Sequence, residues 1–241
     1  MPLPDNEIER ALVVGAHPDD IDYGSAGTVA IWVDAGIEVT YLLVTRGDQG
    51  GFDDTPREDM APLREAEQRA AAEAVGVSDV RFLDGYTDGW VEPTRELERD
   101  IARVIRQVRP QRMLVQSPER NYGRLPASHS DHMATGEAAI RAIYPTARNP
   151  HAWPELMTEE GLDPWVVNEV FIVGHPGADH PVDVTDTFDR KIAALREHRT
   201  QTSHMAEDLE PMVRDWLTRN AALGGLPPGR LAETYLVTEL H

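Results

Sequence analysis

Two short stretches carry side chains that could do chemistry together. In "HPDD", residues 17 to 20, His17 and Asp20 stand three apart, and Pro18 between them restricts the backbone. In "HSDH", residues 129 to 132, His129 and His132 are again three apart, with Asp131 between them. If each stretch opens a helix, an i, i+3 pair aims two ligand heads at one spot. Two imidazoles and one carboxylate with an open position make the ligand set of a hydrolytic zinc site, where water fills the fourth place. Either stretch alone has a plainer reading, as a turn with an Asp cap or as an exposed helix start. Their joint occurrence after core strands favours the metal site.

The elements before these stretches must deliver them to one place. Short apolar runs alternate with amphipathic segments, the pattern of helices packed on a mainly parallel sheet. Strands are predicted over 11–16, 37–45, 79–84, 112–117 and 167–174, and helices over about 25–35, 62–75, 94–108, 131–144 and 187–201. The segment 94–108 shows the helical period well: Leu97, Ile101, Val104, Ile105 and Val108 share a face, and Pro110 ends it. Right-handed crossovers collect the loops after the strands at one sheet edge, where open α/β folds bind ligands. The loops after Ala16, Thr45 and Ser117 should therefore meet, and all three are rich in His, Asp and Gly. The segment 145–166, with four Pro and two Trp, reads as an inserted loop or lid within a single domain spanning 1–241.

Composition narrows the function classes. Across 241 residues, 42 Asp plus Glu outweigh 23 Lys plus Arg for a formal net charge of −19, which repels extended polyanions and argues against nucleic acid as a partner. The absence of cysteine excludes disulfides, thiolate zinc sites and cysteine nucleophiles, so any metal must be held by His, Asp and Glu. No apolar run approaches the roughly 18 residues of a membrane span, and no signal segment is visible; the expectation is a cytoplasmic protein without a membrane partner. A Rossmann-type dinucleotide site is a poor alternative. Gly15, Gly24 and Gly27 do not have the G-x-G-x-x-G spacing, and Asp19 and Asp20 would face the pyrophosphate.

"AHPDD" after a first strand, paired with "PASHSDH" half-way along, resembles the PIG-L (LmbE-like) family of zinc-dependent N-deacetylases. The resemblance continues through "LLVTRGDQGG", "LREAEQRAAAEAVGVSDVRFLDGYTDG" and "DVTDTFDRKIAALREHRTQ". It implies a Rossmann-like three-layer α/β fold. It also implies His17, Asp20 and His132 as ligands of one Zn2+ per chain, and Asp19 as general base; another divalent ion suits the same ligands. A carboxylate beside such a metal is well placed to accept a proton from attacking water. His129, left over from the ligand set, is the candidate to stabilise the oxyanion and protonate the departing amine as an imidazolium, with Asp131 orienting it. Arg64, Asp88 and His180 match positions that line the sugar cleft in the family. The implied activity is removal of an N-acetyl group from an amino sugar conjugate or related small metabolite, and the alternative is an amidase acting on a thiol conjugate or other bulky amide through the same site. A homo-oligomer is compatible with either. A silent binding module on the same fold is disfavoured by the retained His17, Asp19, Asp20, His129 and His132.

The chain departs from the pattern at two places. The tyrosine that some members carry two residues before the first histidine of the HxDH motif is Ala127 here, and Tyr122 is the candidate to replace it. Ile21 stands where relatives have an acidic residue, and Asp22 follows it. Histidines 151, 198 and 204 read as surface or structural.

Overall fold

Every residue of the first strand beyond Arg10 is buried, because helices cover both faces of the sheet it runs through. The computed structural model describes residues 2–52, 55–125 and 128–240. Its strands are β1 (Arg10–Gly15), β2 (Glu38–Leu43), β3 (Asp79–Phe82), β4 (Arg112–Gln116), β5 (Glu169–Val173), β6 (His180–Asp183) and β7 (Ala232–Glu239). Its α-helices are α1 (Asp20–Asp34), α2 (Arg57–Ala74), α3 (Arg95–Val108), α4 (Ser130–Arg141), α5 (Glu155–Thr158), α6 (Phe188–Glu197), α7 (Arg199–Thr202) and α8 (Leu209–Leu223).

The strands form one sheet in the order β3-β2-β1-β4-β5-β7-β6. β1 to β5 are parallel, while β7 pairs antiparallel with both β5 and β6. The chain winds outward from β1 through β2 to β3, then returns to lay β4 on the other side of β1. The loops leaving β1 and β4 therefore part company and open a crevice between them, the position where doubly wound sheets bind ligands. This is a single-domain α/β fold with a mostly parallel sheet. Among the described residues no helix is long and apolar enough to cross a membrane.

Alternation along the strands divides the core. Leu12 and Val14 of β1 pack with Leu97, Ile101 and Ile105 of α3 and with Ala138 and Ala139 of α4. Ala11 and Val13 face the opposite layer, with Val29 and Ala30 of α1 and Ala71 and Ala72 of α2. A third cluster joins Ile192 and Leu195 of α6 to Val213 and Leu217 of α8. The predicted face of α3 is buried throughout, and Thr94 caps the helix by accepting the Leu97 N–H at 3.2 Å.

Several expectations are corrected. α1 begins at Asp20 rather than near 25, and β6, α8 and β7 were not predicted, so the sheet ends in an antiparallel pair. The segment 145–166 does not close over the ligand edge. Arg106 donates to the carbonyls of Thr146, Ala147, Asn149 and Ala152, and Trp165 Nε1 donates to Pro110 O at 2.7 Å, which ties the segment to the end of α3 and the start of β4. That is the sheet edge opposite the crevice.

Candidate active site

The loop after β1 turns sharply into α1. The Asp20 carboxylate folds back to accept the His17 N–H at 2.7 Å, and Asp19 between them takes φ 91°, ψ −29°, a left-handed conformation costly for a residue with a Cβ. On the other side of the crevice, His129 is the residue before α4, and its Nδ1 accepts the Asp131 N–H at 3.2 Å. Close packing of α4 against β4 brings this helix start inward. A Cβ on Gly136 would lie 2.2 Å from the Gln116 carbonyl oxygen, so only glycine allows the approach.

The two helix starts bring their side chains together. Asp20 lies between two imidazoles, with Oδ2 3.3 Å from His17 Nδ1 and Oδ1 2.9 Å from His132 Nε2. The rings of His17, His129 and His132 have centroids 5.0 to 5.2 Å apart. Among the described residues, ligand atoms of His17, His129 and His132 come within 4.8 Å of one another, and so do those of His17, Asp88 and Asp131. The far nitrogen of His17, Nε2, is 3.0 Å from Asp88 and 3.1 Å from Asp131.

The electrostatics suit a cation. Burial disfavours charge on His17, yet the carboxylates of Asp20, Asp131 and Asp88 push it up to about 12. Burial likewise pushes Asp20 up, but His132 and His17 beside it outweigh that and hold it well below the usual carboxylate range. His132 is raised by Asp20 against the effect of burial. Asp19 moves the other way: burial raises it, Arg64 opposes and Asp20 adds, so that it is pushed up to about 6. His129 falls below its ordinary value through burial and the neighbouring His17 and His132. The imidazolium expected there is thus disfavoured.

The remaining predicted residues divide. The Asp131 carboxylate meets His17 and accepts the Gly89 N–H at 2.7 Å; only its backbone N–H reaches His129. Asp88 also holds the loop after β2, accepting the Gln49 N–H at 3.0 Å. Arg64 is buried, with Nη1 on Gly47 O at 2.8 Å and Nη2 on Pro18 O at 2.5 Å, while its Nε lacks a partner. Gly47 and Gly50 make room for it, since a Cβ at either would fall 2.2 or 2.5 Å from Nη1. His180 opens β6, where its ring packs edge-on against Phe171 at 5.8 Å; it lines neither cavity at the site. Tyr122 is 84% exposed and lines neither cavity, and Ala127 lies outside the described residues.

Two cavities flank the donors. One of about 320 Å³ is lined by His17, Asp19, Arg64, Asp88, His129 and Gln201, among others. One of about 520 Å³ reaches Asp20 and His132 and is walled by Arg124, Met212, Trp216 and Arg219. Both are of ligand size. The α8 wall and Gln201 were absent from the sequence reading, the former because α8 itself was not predicted. Asp22 and His198, joined at 2.8 Å, lie buried behind Asp19.

Residues 12–143 match the family model PIG-L, described as GlcNAc-PI de-N-acetylase. The diacetylchitobiose deacetylase of Thermococcus kodakarensis is 32% identical over 88% of this chain and 77% of its own. The 1D-myo-inositol 2-acetamido-2-deoxy-alpha-D-glucopyranoside deacetylase of Kineococcus radiotolerans is 31% identical over 85% of this chain and 72% of its own. The solved N,N'-diacetylchitobiose deacetylase of Pyrococcus horikoshii superposes with a TM-score of 0.88 at 26% identity, covering 98% of this chain and 86% of that one.

Proposed function

The chain belongs to the PIG-L family, and on that premise we propose that it is a metal-dependent N-deacetylase that hydrolyses the acetamide of an N-acetylglucosamine conjugate. The observation that carries this reading is the Asp20 carboxylate set between His17 and His132, with Asp19 beside it at the crevice. Two imidazoles and a carboxylate fit a zinc ion, and the three carboxylates around His17 make the spot receptive to positive charge. His17, Asp20 and His132 would hold the ion, which when bound polarises the amide carbonyl and acidifies water.

The chain's own groups supply the rest. Asp19, pushed up to about 6 by burial, takes the proton from the attacking water and returns it to the departing amine. His129 accepts the Asp131 N–H at Nδ1, which leaves the ring proton of the neutral imidazole on Nε2. That N–H donates to the oxygen as negative charge develops on it, so a neutral His129 serves where an imidazolium was expected. Asp131 and Asp88 hold His17 from behind. The smaller cavity, walled by Arg64 and Asp88, receives the acetamido sugar, and the larger one receives the remainder of the conjugate.

The reading extends to zinc as the resident ion, one per chain, and to a cytoplasmic setting that cell fractionation would test. The direct test is release of acetate and free amine from a panel of N-acetylglucosaminyl conjugates. Activity should vanish with a chelator and return with zinc; no acetate from any conjugate with metal loaded would overturn the assignment.

A further inference from the structure

The peptide unit joining Pro18 to Asp19 is gripped at both of its polar groups by one face of α2. Arg64 Nη2 donates to the Pro18 carbonyl at 2.5 Å, and Gln68 Oε1 accepts the Asp19 N–H at 3.0 Å. Residues four apart on a helix lie over one another, so the two side chains descend on this peptide side by side. The peptide leads into the left-handed Asp19, a conformation that persists only where the surroundings over-determine it.

The orientation of the Gln68 amide follows from chemistry. Its oxygen must face the Asp19 N–H, so its NH2 faces Asp22, donating to Oδ2 at 2.7 Å. The same Asp22 oxygen meets His198 Nε2 at 2.8 Å, which places the imidazole proton on that nitrogen. Gln68, Asp22 and His198 are all fully buried. Asp22 Oδ1 and His198 Nδ1 have no partner, so turning the Gln68 amide over would add two mismatches to a network that already leaves two atoms unpaired.

We propose that Gln68 is a positioning residue for Asp19. Together with Arg64 it locks the Pro18–Asp19 peptide so that the Asp19 carboxylate faces the cavity beside His17 and His129, and the Asp22–His198 pair keeps the Gln68 amide from rotating. The proposal rests on the reading of Asp19 as the base.

Gln68→Leu keeps the side-chain size and removes both bonds. The expected result is unchanged metal content, a KM within about twofold of wild type and a kcat lower by roughly tenfold to a hundredfold, because a small misplacement of the base acts on the chemical step. A crystal structure of the variant should show Asp19 out of the left-handed region. A kcat within about twofold of wild type, or an Asp19 that keeps its φ of 91° in the variant, overturns the proposal. Should Gln68→Leu not fold, Gln68→Glu and Gln68→Glu/Asp22→Asn decide. The single change sets two carboxylates against each other. In the double change the new amide NH2 at position 22 donates to the new carboxylate at position 68 and, with the His198 ring proton moved to its unpartnered Nδ1, also to His198 Nε2, so kcat should recover to within about fivefold of wild type. Equal loss in both overturns it. A wild-type enzyme inactive on every conjugate defeats the deacetylase reading instead, and the Asp19 conformation in the variant then decides the clamp by itself.

Discussion

Asp131 Oδ2 lies 3.1 Å from His17 Nε2, while Asp20 approaches the same ring at Nδ1. A histidine that offers one nitrogen to a metal is oriented through the other, and a carboxylate there raises its basicity. Asp131→Ala should therefore weaken metal binding by about 10- to 100-fold in a chelator competition. If Asp131 acted instead on His129, kcat would fall while metal affinity stayed at the wild-type value.

His129 stands close enough to His17 and His132 to compete with Asp20 as the third donor. The two assignments separate on metal content. Asp20→Ala and His132→Ala should lose the ion on dialysis, whereas His129→Ala should retain about one per chain and lose roughly 100- to 1000-fold in kcat, the scale of a missing oxyanion donor. Metal loss in His129→Ala with retention in Asp20→Ala would exchange their roles.

Asp19→Asn tests the base. The amide can still accept from Arg64, whose Nη2 is 3.5 Å from Asp19 Oδ1, but it has no place for the water's proton. Metal content should be unchanged and kcat lower by about 100- to 10,000-fold, with KM little altered. An active Asn variant would remove Asp19 from that role.

The parts legible in the sequence are those that local pattern determines. β1, β2, β4 and β5 read as apolar runs because parallel strands are buried on both faces, and the His and Asp pairs stood out because metal chemistry restricts the residue types. β6 is four half-buried residues and β7 has only a three-residue apolar run, Tyr235 to Val237, between polar pairs, so neither resembles a central strand. Asp131 was paired with His129, its neighbour in sequence, when its carboxylate partner is His17, 114 residues away. Gln68 and His198 gave no signal either. Their bonds to Asp22 span 46 and 176 residues and exist only once α1 and α2 both pack against α6.

Gly136 couples this packing to the chemistry. The nearest atoms to a Cβ there are the Gln116 carbonyl oxygen at 2.2 Å, with the Gln116 carbonyl carbon and Pro118 nitrogen at 3.0 Å. All three are backbone, so no side chain can swing aside. Gly136→Ala must lift α4 from β4, and the helix carries Asp131 and His132 with it. The cost of such overpacking is about 1 to 3 kcal/mol, read as a lower urea midpoint. Because His132 moves relative to Asp20, metal affinity should fall with stability. Gly24→Ala is the control: its Cβ would meet only the Val173 side chain, at 3.2 Å, and α1 should keep its seat with the ion bound as in wild type. Equal metal affinity in Gly136→Ala and Gly24→Ala would show that the α4 seat does not set the donor geometry.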